Sequence, residues 1–96
     1  MPKHRVRLKK TIIAVLKEND DRPLSAEQLI HLCQQKGLKP NYLPKNTNAM
    51  GQIMRQVKGT VSQTIYLTSN QGNSYLSAVY SLESEEAFNE WLEKVC

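Results

Sequence analysis

The chain has little that would commit it to secretion, to a membrane or to a metal. Its 96 residues contain two cysteines, Cys33 and Cys96, which form neither a CxxC pair nor a disulfide framework. No apolar run approaches the roughly 20 residues needed to cross a bilayer, and the basic N-terminus leads into no apolar segment with a cleavage site. The expected compartment is the cytoplasm, with no membrane partner. Neither of the two histidines, His4 and His31, belongs to a spaced set of Cys, His or carboxylate ligands that would hold a metal. A Gly-rich phosphate loop and a nucleophile elbow are both missing. The reading is a chain that is not an enzyme, with no catalytic residues, no cofactor and no metal.

Charge is missing selectively. Between Lys58 and Lys94 there is no Lys or Arg, and five of the nine acids (Glu83, Glu85, Glu86, Glu90, Glu93) fall in the last fourteen residues. Residues 1–82 carry twelve Lys or Arg against Glu18, Asp20, Asp21 and Glu27, a balance of +8 inside a net charge of +4. A basic body with an acidic end fits a polyanion approached from one side. Lys3, Arg5, Arg7, Lys9 and Lys10 crowd the first ten residues. Residues 1–6 are therefore read as a basic N-terminal arm, and 7–96 as a single domain, the length allowing one modest core.

Periodicity supplies the elements. Leu8, Ile12, Val15 and Leu16 recur at helical spacing, so a first helix is expected over Val6–Glu18, ended by Asn19-Asp20-Asp21-Arg22-Pro23. Ser25 followed by Gln28 fits a capping box, with Leu24 placed to staple onto Leu29. A second helix is expected over Ala26–Lys36, with Cys33 in its buried stripe, His31 on its surface or at the core edge, and Gly37 as its stop. Leu38 and Leu43 in the following connection can plug the core.

The stretch Pro44–Lys58, PKNTNAMGQIMRQVK, splits by face. Met50, Ile53, Met54 and Val57 lie at i, i+3, i+4, i+7 and must face a core. The other face carries amides and cations but no carboxylate. A third helix is expected over Thr47–Lys58, capped by Asn46 or Thr47. Gly51 inside it costs about 1 kcal/mol relative to Ala in helix propensity. Crossing the second helix, or approaching a DNA backbone, is the expected reason for it.

After Gly59 the period becomes two. Val61–Thr68 is expected as one strand and Ser74–Leu82 as a second, with Leu76 and Tyr80 among the buried side chains and Ser69–Asn73 as the turn. Phe88, Trp91, Leu92 and Val95 then repeat at i, i+3, i+4, i+7, giving a closing amphipathic helix over 83–95.

Three helices followed by a hairpin is the order of the winged helix-turn-helix superfamily. The chain resembles that superfamily over about residues 6–82, with the acidic helix as an addition. More narrowly, LPKNTNAMGQIMRQV followed by a hairpin looks like the small winged-helix domains of phage- and plasmid-type primase-helicases. In those, a proline-preceded third helix with a small residue and a Gly also precedes a hairpin. The fold class so implied is α+β: a winged helix-turn-helix of three helices and a β-hairpin wing, plus a C-terminal amphipathic helix.

The resemblance implies DNA binding, with the third helix in the major groove of a duplex. Asn46, Asn48, Gln52, Arg55 and Gln56 are then the candidates for base edges, where Asn and Gln suit adenine and Arg suits guanine. Lys45 and Lys58 are better placed for phosphates. Lys3, Arg5, Arg7, Lys9 and Lys10 extend the contact along phosphates or into a minor groove, and Lys36 and Lys39 flank the turn. The uncharged hairpin departs from the many wings that carry Arg or Lys, and adds no counterion release.

Two functions follow from different classes. One is a DNA-binding regulator or accessory factor of a mobile element's replication or maintenance. The other is a protein-interaction adaptor using the uncharged hairpin or the final helix. Phe88, Trp91, Leu92 and Val95 either cover the domain's own core or pair with a second copy in a homodimer; self-packing is the expectation, since a small domain needs the burial.

Overall fold

The computed structural model describes residues 5–19 and 22–95; Lys3, His4, Asp20, Asp21 and Cys96 lie outside them. Among the described residues the chain is α+β, with four α-helices and a three-stranded antiparallel sheet. The first helix, α1, runs Val6–Glu18 as the spacing predicts, and buries Leu8, Ile12, Val15 and Leu16 at 1 % exposure or less. Its N-terminal Arg5 is left-handed, with φ 46°, and its carbonyl accepts the Lys9 N–H at 3.0 Å.

The second helix, α2, runs Ala26–Gln35 and opens on the expected capping box. The Gln28 N–H donates to Ser25 Oγ at 3.3 Å, and the Ser25 N–H donates to Gln28 Oε1 at 3.0 Å. Two of the helix's orphan donors are thereby satisfied. Leu29 and Cys33 have no exposed surface, whereas His31 is exposed, its Nε2 3.0 Å from Gln35 Nε2. A 3-10 turn at Pro40–Tyr42 then leads to α3, with Leu38 and Leu43 half-buried against the core.

The third helix, α3, is shorter than expected: Thr47–Met54, with Asn46 as N-cap and Arg55 as C-cap. Val57 is nonetheless buried, because the chain goes on in tight turns in which Gln56 N–H donates to the Ile53 carbonyl and Val57 N–H to that of Met54. Gly59 explains the early stop. Its φ is +85°, and its carbonyl accepts both the Glu83 N–H at 2.8 Å and the Ser84 N–H at 3.0 Å. The helix must end soon enough to bring Gly59 against the far end of the sheet.

Two strands follow in the expected places, β2 at Thr60–Thr68 and β3 at Ser74–Leu82, paired without a break from Thr60↔Leu82 to Thr68↔Ser74. At the tip, Ser69 N–H donates to the Asn73 carbonyl at 2.8 Å. A third strand, absent from the sequence reading, is the two-residue segment Leu24–Ser25, designated β1; it pairs Leu24↔Tyr80 and Ser25↔Val79 and makes β3 central. Two residues are too few to show a period.

Alternation along the strands gives Tyr66, Thr64 and Ser62 the same face as Leu76, Ala78, Tyr80 and Leu82. At the base this face meets the helices: Tyr80 is 7 % exposed, and Leu82 packs on the core. Towards the tip no helix covers it, so Leu76, expected to be buried, is 60 % exposed. Gly51 also departs from expectation. A Cβ there would meet the Tyr80 hydroxyl of β3 at 3.5 Å, an ordinary contact, so α3 faces the sheet at this point and sterics do not demand glycine.

The last helix, α4, runs Glu85–Val95, starting two residues later than expected because Ser84 Oγ accepts the Ala87 N–H at 3.2 Å and caps it. Phe88 is buried, and Trp91 and Leu92 pack on the domain's own core. Lys17 of α1 pairs with Glu85 at 3.1 Å, but both side chains are substantially exposed, so the pair contributes little. Among the described residues no helix is long and apolar enough to cross a membrane.

Candidate nucleic-acid interface

Burial of Met50, Ile53 and Met54 fixes the roll of α3 and turns Asn48, Gln52 and Arg55 outward. These three form a ridge between two open clefts. On one side a cleft of about 600 Å³ is walled by the start of α2 (Ser25, Ala26, Glu27), by Asn48, Gln52 and Arg55, and by Leu76, Ala78 and other residues of the hairpin. On the other, a cleft of about 480 Å³ is lined by Arg5, Asn41, Lys45, Asn46, Gln52 and Gln56. Gln52 borders both clefts.

The sequence candidates thus divide. Arg5, Lys45, Asn46, Gln52 and Gln56 come together in the second cleft, and Asn48, Gln52 and Arg55 line the first. Asn46 has a prior commitment, since its Oδ1 accepts the Ala49 N–H at 2.8 Å as the cap of α3. A bidentate contact with adenine needs amide oxygen and nitrogen together, so Asn46 is better suited to donate from Nδ2 alone. Lys10 is exposed on α1 and Lys58 on the turn after α3. Lys3 lies outside the described residues.

Arg7 and Lys9 are held by aromatic rings. The Arg7 guanidinium carbon lies 5.0 Å from the centre of the Tyr42 ring, which orients the side chain and leaves it exposed. Lys9 is 3 % exposed, its Nζ 4.6 Å from the centre of the Trp91 ring. Burial pushes its pKa below the ordinary lysine value, and the positive charge of Arg5 adds to the effect. A cation covered by α4 is poorly placed to reach a phosphate. Lys36 forms an ion pair with Glu18, and Lys39 is exposed.

Three parts of this surface escaped the sequence reading. Glu27 puts a carboxylate on the wall of the first cleft, and Asn41 joins the second. The capping box, which fixes where α2 begins, was the available signal for Glu27. Tyr75, Leu76 and Tyr66 make the hairpin apolar and aromatic as well as uncharged, with exposures of 48, 60 and 73 %. Along the chain no Asp or Glu occurs between Glu27 and Glu83, while Lys36, Lys39, Lys45, Arg55 and Lys58 do, so Glu27 is the acid that stands against the cations of the first cleft. Comparison with protein-family models, with curated proteins and with solved structures finds no match.

Proposed function

We propose that the chain is a cytoplasmic winged-helix protein that binds duplex DNA and carries out no catalysis. The reading rests on the ridge of Asn48, Gln52 and Arg55, which projects from a core-anchored helix between two open clefts, with Arg5 and Lys45 beside it. The order α1-β1-α2-α3-β2-β3, with β1 closing onto β3, supports the winged-helix assignment. In the major groove, Asn48 and Gln52 pair with adenine edges and Arg55 with guanine, while Arg5, Lys10, Lys45 and Lys58 hold phosphates. Lys9 is left out of the interface. The biological setting in keeping with the resemblance is a small regulator, or an accessory factor in the replication or maintenance of a mobile element.

Titration of labelled duplex DNA at two salt concentrations tests the reading. The four phosphate contacts give a slope of log affinity on log salt of about −3.6, from about −0.9 per contact. No binding at low salt refutes it.

A second reading, a protein-interaction adaptor, draws on a specific observation. Tyr66 and Leu76 are directly paired and both exposed, an apolar spot on an uncharged hairpin. The adaptor predicts a protein complex that survives high salt in a chain with no DNA affinity.

A further inference from the structure

We infer that β2 is a self-association edge, through which two copies of the chain join their sheets antiparallel about a two-fold axis at Thr64. The sheet order β1-β3-β2 leaves β2 at an edge, and among the described residues no strand pairs with its outer side. Such an edge presents a row of backbone N–H and C=O groups that another extended chain can complete.

Proteins ordinarily blunt a free edge with a charge, a proline, a bulge, short length or a covering segment. β2 has nine residues, TVSQTIYLT, with no charge and no proline, and its register opposite β3 is unbroken. Val61, Ser62, Gln63, Thr64, Tyr66 and Thr68 are all exposed. Nothing in the segment discourages pairing.

Charge and symmetry argue for a second copy as the partner. Residues 59–82 contain no charged side chain, whereas residues 1–58 hold twelve Lys or Arg against four acids. Like molecules of this charge repel one another, and the neutral hairpin is where two of them can meet with least opposition. Pairing centred on Thr64 sets Val61 against Leu67 of the second copy, Ser62 against Tyr66 and Gln63 against Ile65. Each copy's exposed Val61 and Tyr66 thereby gain a cross-strand neighbour.

The two-fold axis lies perpendicular to the sheet, so the Tyr80 face of both copies, where α3 packs, lies on one side of a continuous six-stranded sheet. The antiparallel run places the base of each hairpin beside the tip of the other, which separates the two helical bodies. Two α3 ridges then share one side of the assembly. Their use on a two-part DNA site rests on the proposed function; the pairing itself does not.

Sedimentation velocity of the whole chain over a range of concentrations, without DNA, tests the pairing. Wild type is expected to form a dimer that persists at high salt. Thr64→Lys and Thr64→Glu each place like charges about 5 Å apart across the two-fold axis, and should weaken self-association by about tenfold or more. Because Thr64 is exposed, both variants should keep the wild-type circular dichroism spectrum. An equimolar mixture of the two should recover the dimer as a Lys-Glu pair. A wild type that stays monomeric, variants that associate as wild type does, or a mixture that remains monomeric would each overturn the inference. A DNA titration that fails while the dimer forms would count against the proposed function alone.

Discussion

Replacing Gly59 with alanine should do far more damage than replacing Gly72, although both glycines are left-handed, with φ of +85° and +86°. At Gly72 an added Cβ meets nothing within 4 Å, so Gly72→Ala carries only the conformational strain of about 1 kcal/mol. At Gly59 the Cβ would lie 2.1 Å from the Ser84 carbonyl oxygen, and 3.3 Å from the Phe88 backbone nitrogen. Both neighbours are backbone, and Phe88 is part of the core, so neither can swing aside. The Ser84 carbonyl must retreat by about 1 Å, which adds overpacking of about 1–3 kcal/mol to the strain. The move also disturbs the Glu83 and Ser84 N–H donors that share the Gly59 carbonyl. In a domain of this size each kcal/mol displaces Tm by about 4–8 °C. Thermal unfolding followed by circular dichroism should therefore show Gly72→Ala lower by about 4–8 °C and Gly59→Ala lower by at least twice that. Equal losses in the two variants would refute the claim that Gly59 is a steric joint between the end of α3 and the start of α4.

Other measurements bear on single side chains. The folded chain should release the Lys9 proton at a lower pH than the unfolded chain, because burial and Arg5 lower its pKa from 10.5. Stability should then rise with pH between the folded pKa and the ordinary lysine value, and Lys9→Met should abolish that rise in urea midpoints measured across alkaline pH. Burial raises the Cys33 thiol from 9.0 to about 11, so in a Cys96→Ser background its thiolate fraction at neutral pH, and its alkylation rate, should fall about a hundredfold below a free cysteine until denaturant is added. Asn46→Ala removes the cap of α3 and should cost about 1 kcal/mol in denaturant titration. Gln52→Ala and Arg55→Ala should each weaken a preferred DNA site by about 1–3 kcal/mol more than random DNA, and equal loss on every sequence would mean that α3 reads no bases.

What could be read ahead was whatever repeats. The stripe Leu8, Ile12, Val15 and Leu16 carries a helical period over several turns, and the capping pair Ser25 and Gln28 marks a boundary to the residue. The alternation of Thr60–Thr68 gives the strand, and the register follows from the turn. Strand β1 has two residues and no period, so only its partner Tyr80, fifty-six positions away, defines it. The burial of Lys9 was hidden for a related reason. It sits beside Leu8 in a run of cations, and only the return of α4 with Trp91 covers it. Leu76 reverses the case: its pattern is that of a buried residue, but the helical layer ends before reaching it. The amides of α3 were legible by residue type, while the two clefts that flank them depend on where α2, the N-terminal end of α1 and the hairpin meet.

The length of the hairpin beyond the helical layer has a consequence for cooperativity. From Ile65 and Ser77 outward the two strands are bonded to each other, and most of their side chains are exposed. The strand base is different, because Val79 and Tyr80 are buried and tied to β1. Free energies of local opening should therefore grade along the hairpin: small at Tyr66 and Leu76, and approaching the global value near Tyr80. Amide hydrogen exchange would divide the molecule at that point, with the outer arm opening and closing many times for each unfolding of the body that carries α3.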